Sequence, residues 1–267
     1  MLSLPEDYAV CVDEIIEMAR DVEGCLTEKE MRFLALLGAC PTAEGRVLEI
    51  GSFKGKSTVI LSRGAGLAGD PRISAIDPLT SPSVTDPDLK GKDNGWDDFR
   101  ANLTKAGVVD YVDFHRTVSE EVAKTWDRPL RLLWIDGDHT YAGTKADFDN
   151  FSPHLSDRGI IALHDVLHQY DGSIRVFCED ILLSDHFGPC GLVGSIGWAQ
   201  YFCDPAEAGG YRRQKLDLYR RVSRLIPYYV FQQKHTGIRK LMAKFRRSQV
   251  PHKEIHPEAW LAMLDRN

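Results

Sequence analysis

The sequence predicts a doubly wound α/β fold, on three observations. From Arg46 onward short apolar runs alternate with amphipathic stretches, the first run ends in a glycine-bearing loop that opens a helix, and two later runs end in clusters of ionisable side chains. Runs as apolar as RVLEI, RISAI, YVDFH, LRLLWI and GIIAL, each followed by a helical pattern, are expected of parallel strands buried on both faces. The expected architecture is a Rossmann-like, mostly parallel sheet.

Residues 1–44 precede the sheet and show helical spacing in Val12, Ile15, Ile16 and Met18, then in Met31, Phe33, Leu34 and Leu37, with a break over Gly24 to Thr27. Helices between the strands are expected at 56–67, 94–107, 117–126, 141–154 and 173–184. Thr117 and Ser119 ahead of Glu120 and Glu121 make an N-terminal helix signature. CGLVGSIGWAQYFC reads as a hairpin that adds an antiparallel C-terminal edge, closing an α/β domain over 45–203. Residues 204–267 read as a basic, helical C-terminal extension. The segment 78–96, rich in Pro, Gly and Asp, is long for a connection and reads as a functional lid or a disordered loop.

A chain of 267 residues with 43% hydrophobic composition can bury one large core. No run is long and apolar enough for a membrane span, and the N-terminus MLSLPEDYAV lacks the layout of a signal peptide, so a soluble, cytoplasmic protein is expected. Cys11, Cys25, Cys40, Cys178, Cys190 and Cys203 lack metal-site spacing and read as reduced core thiols. The net charge of −6 is uneven: residues 211–247 hold twelve Lys and Arg against Asp217 alone, which leaves the rest of the chain strongly acidic. That segment is either a solvated helical appendage or a docking site for an anionic surface, a lipid-linked substrate or RNA, with no strong nucleic-acid signal.

In an open parallel sheet, ligands sit beyond the strand ends where the winding reverses, so the loop after the first strand matters most. It reads VLEIGSFKGKST. A P-loop needs a glycine at the position Ile50 holds, and a dinucleotide fingerprint needs one where Phe53 stands. What remains, E-x-G-S-x-x-G-x-S, resembles the first motif of class I S-adenosylmethionine-dependent methyltransferases. That resemblance implies that Glu49 orients the methionine end of the cofactor and Gly51 admits it, with Ser52 and Ser57 in the same loop as further cofactor-binding residues. Asp77 ends the second strand, where a carboxylate accepts both ribose hydroxyls of a nucleoside. Thr117 and Ser119, after the third strand, are either adenine contacts or helix caps.

The fourth strand ends in IDGDHTY, delivering Asp136, Asp138 and His139, and the fifth ends in ALHDV, delivering His164 and Asp165. Such clusters serve chemistry better than stability. With the upstream loop, these motifs resemble, over about residues 24–203, the family of macrocin sugar O-methyltransferases and cephalosporin-modifying methyltransferases, with catechol O-methyltransferases more distant. The resemblance implies a divalent cation held by Asp136, His164 and Asp165, Asp136 also touching the cofactor, and His139 as general base. It implies methylation of an oxygen on a small-molecule or glycan acceptor, with S-adenosylmethionine as donor. An imidazole at 164, where the relatives carry an acid, favours Mn²⁺, Fe²⁺ or Zn²⁺ over Mg²⁺. It equally suits a metal-free site in which His139 and His164 are base and partner and Asp138 or Asp165 fixes the tautomer.

Two other classes remain open to the sequence. One is a non-catalytic binding module docking through its basic tail; the other is a P-loop-like nucleotide binder gripping phosphate with Lys56 and Ser57. Trp96 and Trp198 are candidates for stacking on an acceptor ring or for plain core, and the N-terminal helices for a homodimer interface.

Overall fold

A computed structural model describes residues 4–5, 7–79, 95–167, 170–229 and 236–264. Two helices lead in, α1 (Tyr8–Arg20) and α2 (Glu28–Ala39). Alternation follows through β1 (Arg46–Ile50), α3 (Lys56–Leu67), β2 (Ile73–Ile76), α4 (Trp96–Lys105), β3 (Val112–His115), α5 (Ser119–Ala123), β4 (Leu130–Ile135), α6 (Tyr141–Phe151) and β5 (Leu155–Leu163). After α7 (Gly172–Arg175) and a π-helical stretch over Val176–Leu182 come β6 (Phe187–Val193) and β7 (Ile196–Tyr201). The chain then turns helical in α8 (Pro205–Ala208), α9 (Arg212–Val222), α10 (Ile226–Tyr229), α11 (Gly237–Ser248) and α12 (Pro257–Leu264). Residues 80–94, most of the expected lid, lie outside the described residues.

One sheet joins the strands in the order β3-β2-β1-β4-β5-β7-β6, parallel from β3 to β5 and antiparallel at β7 and β6. The winding therefore reverses at β1, between β2 and β4. Register aligns the strand ends: Ile50 pairs with Ile76 and with Ile135, and Ile135 with Leu163. Residues 51, 77, 136 and 164 thus emerge side by side at one rim.

Because successive side chains leave a strand on opposite faces, one apolar run serves two cores. Leu48, Ile50, Leu133, Ile135, Ile161 and Leu163 pack with the π-helical stretch and with Leu218, Val222, Leu225 and Val250. Val47, Leu132, Trp134, Ile160 and Ala162 pack under α1, α2 and α3. Trp260 of α12 completes this second core, edge-on to Phe33 at 5.6 Å and to Trp198 at 4.8 Å. The segment expected as an extension therefore feeds both cores, whereas α11 contributes no buried side chain.

Several expectations need correction. Trp198 is wholly buried and is core, not a platform for an acceptor. Trp96 stays half-exposed but lies against Phe99 and Phe114 with the Arg116 guanidinium over its ring. Only Cys40, Cys178 and Cys190 are buried; Cys25 and Cys203 are exposed. The helix expected over 117–126 is confined to Ser119–Ala123 and is capped by Val118 without a side-chain bond, so neither Thr117 nor Ser119 is a cap. The α6 helix gives way at Phe151 to a tight turn carrying Pro153, and the 173–184 helix widens to π geometry. Among the described residues no helix is long and apolar enough to cross a membrane.

The N-terminus of α2 ties helix to sheet. Thr27 and Glu30 form a capping box, and the second oxygen of Glu30 accepts from the Ser195 amide at 2.6 Å and its hydroxyl at 2.7 Å, in the β6–β7 turn. Burial would raise this carboxyl, but the bonds from Ser195 and Thr27 hold it below its ordinary range. Since Trp260 lies in the same core as Phe33 and Trp198, Trp260→Ala is expected to destabilise the whole domain by about 3–5 kcal/mol. Urea unfolding followed by far-ultraviolet circular dichroism should show one transition moved to lower denaturant; an unmoved midpoint would mean that α12 is detached from the fold.

Candidate active site

The rim begins with Glu49, whose carboxylate turns into the protein. Its Oε2 accepts from Thr58 Oγ1 at 2.5 Å and from Ser52 Oγ at 3.0 Å, while Oε1 is buried with no partner among the described residues. Burial pushes this carboxyl up to about 7, against the hydrogen bonds from Ser57, Thr58 and Ser52. Thr58 is a participant that sequence reasoning passed over; it stands in the quoted loop motif, one helical residue past Ser57.

The loop itself is held by Asp77. Asp77 Oδ2 accepts from the amides of Ser52 and Phe53, both at 2.8 Å, and Oδ1 from the amide of Leu79 at 2.7 Å. Oδ2 is thereby filled, while Oδ1 keeps a lone pair for a hydroxyl. The acid expected to bind a ribose is therefore also the clamp on the glycine loop, which takes Phe53 and Gly55 into left-handed conformations at φ of 46° and 87°. Lys56, the cation that phosphate binding would need, reaches instead toward the carbonyl of Gly24 at 3.4 Å.

At the ends of β4 and β5, Asp136, His139 and Asp165 come together: one ligand atom from each lies within 4.8 Å of the others. His139 Nε2 is 3.7 Å from Asp165 Oδ2, and the imidazole stacks on Tyr170 at 5.3 Å between centroids. Asp165 reaches this position at φ 58°, a conformation rare outside glycine and tolerated best by Asp and Asn.

His164 takes a different place from the one the family resemblance implies. Its ring is buried beside Trp134, with Nδ1 3.0 Å from Asp136 Oδ1 and Nε2 buried without a partner among the described residues. It stands behind Asp136, on the sheet's second face, and not in the open cluster. Burial alone would depress this imidazole; the charge and hydrogen bond of Asp136, with Asp165 and Glu30 further off, overcome that and raise it to about 10. Asp138 is also reassigned: its Oδ1 accepts from the Thr140 amide at 2.9 Å and shapes the turn into α6, so Asp165 is the acid that faces His139. Ser119 is buried and donates to Asp147 Oδ1 at 2.5 Å, joining α5 to α6. Burial pushes Asp147 up to about 7. Thr117 is half-buried just past β3, its amide donating to the His115 carbonyl.

Residues 48–166 match a family model described as a methyltransferase domain, a span that runs from β1 to just past Asp165. Similar solved folds include the O-methyltransferase NovP, 14% identical, covering 73% of this chain and 100% of that one with a TM-score of 0.57. A putative O-methyltransferase from Klebsiella pneumoniae is 18% identical over 72% of this chain and 90% of its own, with a TM-score of 0.54. The O-methyltransferase TomG from Streptomyces achromogenes, involved in tomaymycin synthesis and solved in complex with SAM, is 18% identical, covering 76% of this chain and 92% of that one at a TM-score of 0.51. A curated but uncharacterised protein from Sinorhizobium fredii is 41% identical over 59 residues, 21% of this chain and only 6% of that protein's length. The glycine loop, its acidic clamp and the cluster beyond β4 and β5 all fall within the span that matches the methyltransferase domain model.

Proposed function

We propose that the chain transfers a methyl group from S-adenosylmethionine to a hydroxyl oxygen of a small molecule or sugar, assisted by a divalent cation at Asp136, His139 and Asp165. The observation that carries this reading is that cluster, set beside a methyltransferase loop at the reversal point of the sheet. The O-methyltransferases of similar fold, one of them solved with SAM, support the donor and the acceptor atom.

S-adenosylmethionine would supply an electrophilic methyl carbon, and a divalent cation would lower the pKa of a hydroxyl held at the cluster. The chain's own residues do the rest. Glu49, costly to ionise while its Oε1 is unpartnered, presents a buried carboxylate to the cationic methionine end of the donor. Asp77 fixes the loop through Oδ2 and offers the remaining lone pair of Oδ1 to the ribose. Asp136 is held in place from behind by His164, which fits the role of an outer partner that orients a ligating carboxylate. Two carboxylates with an imidazole favour Mn²⁺, Fe²⁺ or Zn²⁺. A second reading rests on the pairing of His139 Nε2 with Asp165 at 3.7 Å: without metal, Asp165 would orient His139 as the base that takes the hydroxyl proton.

Three outcomes are expected. Asp77→Ala should weaken S-adenosylmethionine binding by about tenfold or more in calorimetry, because both the loop clamp and the ribose acceptor are lost; an unchanged affinity would remove the cofactor assignment. Asp165→Ala should weaken Mn²⁺ binding by about 100-fold while leaving S-adenosylmethionine affinity intact, and a chelator should stop transfer in the wild type; full activity in chelator would establish the His139–Asp165 reading. For Glu49→Gln the sign follows from the raised carboxyl. Between about 4.5 and 7 the folded cofactor-free chain keeps a proton that the unfolded chain releases, so wild-type stability falls as pH rises through that window. The variant lacks this loss and should gain on wild type by about 3 kcal/mol from pH 4.5 to pH 7; parallel stability curves in urea titrations across that range would refute the buried-charge account.

A further inference from the structure

The helix α11 (Gly237–Ser248) is built unlike any other among the described residues. Ile238, Leu241, Met242 and Phe245 are 78%, 67%, 40% and 57% exposed. At helical spacing they share one stripe about 100° wide. The other large apolar side chains exposed among the described residues, Val10, Met18, Tyr111, Val118 and Leu183, are scattered singly. Basic residues flank and back the stripe at Arg239, Lys240, Lys244, Arg246 and Arg247, and no acid occurs between Asp217 and Glu254.

The helix meets the protein by its polar side. Ala243 and Arg246 are its half-buried positions; Arg246 lies over the Tyr228 ring at 5.3 Å and donates to the carbonyl of Arg224 at 3.2 Å. Arg221 donates to the carbonyl of Gln249 at 3.0 Å, fixing the helix end. The apolar stripe is left facing solvent, the reverse of what a helix packed for stability does.

We propose that α11 is a docking helix for an anionic membrane surface, lying in the headgroup plane with Ile238, Leu241, Met242 and Phe245 inserted and the flanking Lys and Arg on lipid phosphates. Apolar insertion and basic flanks are the two requirements of an interfacial helix, and both are present on one element. A second copy of this chain fits worse, since pairing two such stripes brings two rows of positive charge together. Nucleic acid would use the charges and leave the stripe wet. The acidic remainder of the chain is repelled by the same surface, so docking also sets which end of the molecule approaches it.

The test is flotation of the full chain with vesicles of phosphatidylcholine alone and of phosphatidylcholine mixed with phosphatidylglycerol. The wild type is expected to float with the anionic vesicles only, and to be released by high salt. Leu241→Glu with Phe245→Glu should lower the floated fraction about tenfold or more without moving the thermal unfolding midpoint, because both side chains are exposed. Lys240→Ala with Lys244→Ala and Arg247→Ala keeps the stripe and should lower it several-fold. The proposal is overturned if the wild type stays behind with anionic vesicles, if both variants float as it does, or if the glutamate variant turns a wild-type dimer into a monomer while neither floats.

Discussion

The rim depends on how closely the ends of β1 and β4 run past each other. A Cβ built on Gly51 would lie 2.1 Å from the carbonyl oxygen of Asp136, and the residue sits at φ 88°. No side chain fits there in either respect. Because the contact is that tight, the ladder continues one residue beyond the strands: Gly51 donates to Ile76, Asp136 to Ile50 and His164 to Ile135. That extra rung sets the glycine loop beside the first acid of the cluster, and Asp77, anchored by its own amide to His115, clamps the loop from the other side. Gly51 thus serves the sheet before it serves any ligand.

The charge at this rim decides what kind of ligand suits it. Glu49, Asp77, Asp136 and Asp165 converge, while the nearby cations are engaged elsewhere: Lys54 with Glu23 and Asp98, Lys145 with Asp149 and Asp180, Lys56 toward Gly24. An anionic phosphate would meet carboxylates here with no free lysine near them among the described residues to offset them. A sulfonium, an ammonium group or a divalent ion meets the opposite situation. The electrostatics therefore disfavour the nucleotide-gripping alternative independently of the missing glycine, and they do so through side-chain directions that no motif encodes.

What was legible in the sequence was position along the chain; what was not was direction across it. Apolar runs locate the strands because burial on both faces leaves no polar alternation, and the strand ends at Asp77, Asp136 and His164 follow at once. Adjacent residues of a strand leave on opposite sides, however, so a motif such as His164-Asp165 cannot say which of the two faces the open rim. The left-handed backbone at Asp165 turns its carboxylate toward His139, while His164 goes under Asp136 beside Trp134. The same limit explains Asp138, which closes a local turn, and Ser119, whose hydroxyl is spent on Asp147. Trp198 was ambiguous for a different reason: its burial is completed by Phe33 and Trp260, residues remote in sequence.

The placement of His164 also accounts for why an imidazole stands where the resembling family carries an acid. A carboxylate at that buried position would add a third negative charge beside Asp136 and Asp165, with Glu30 behind it, and burial would make that charge costly. A protonated imidazole turns that would-be charge positive and gives Asp136 a donor at 3.0 Å. The cluster then carries less negative charge, which would weaken its hold on a hard cation, but Asp136 is fixed before any ligand arrives. His139, stacked on Tyr170 and facing Asp165, supplies the nitrogen that the cluster gains in exchange. One buried histidine holds the acid and one stands at the rim, so the pair would divide between them what a set of carboxylates does in the resembling family, and under the proposed metal-assisted reading a softer metal would suit that division.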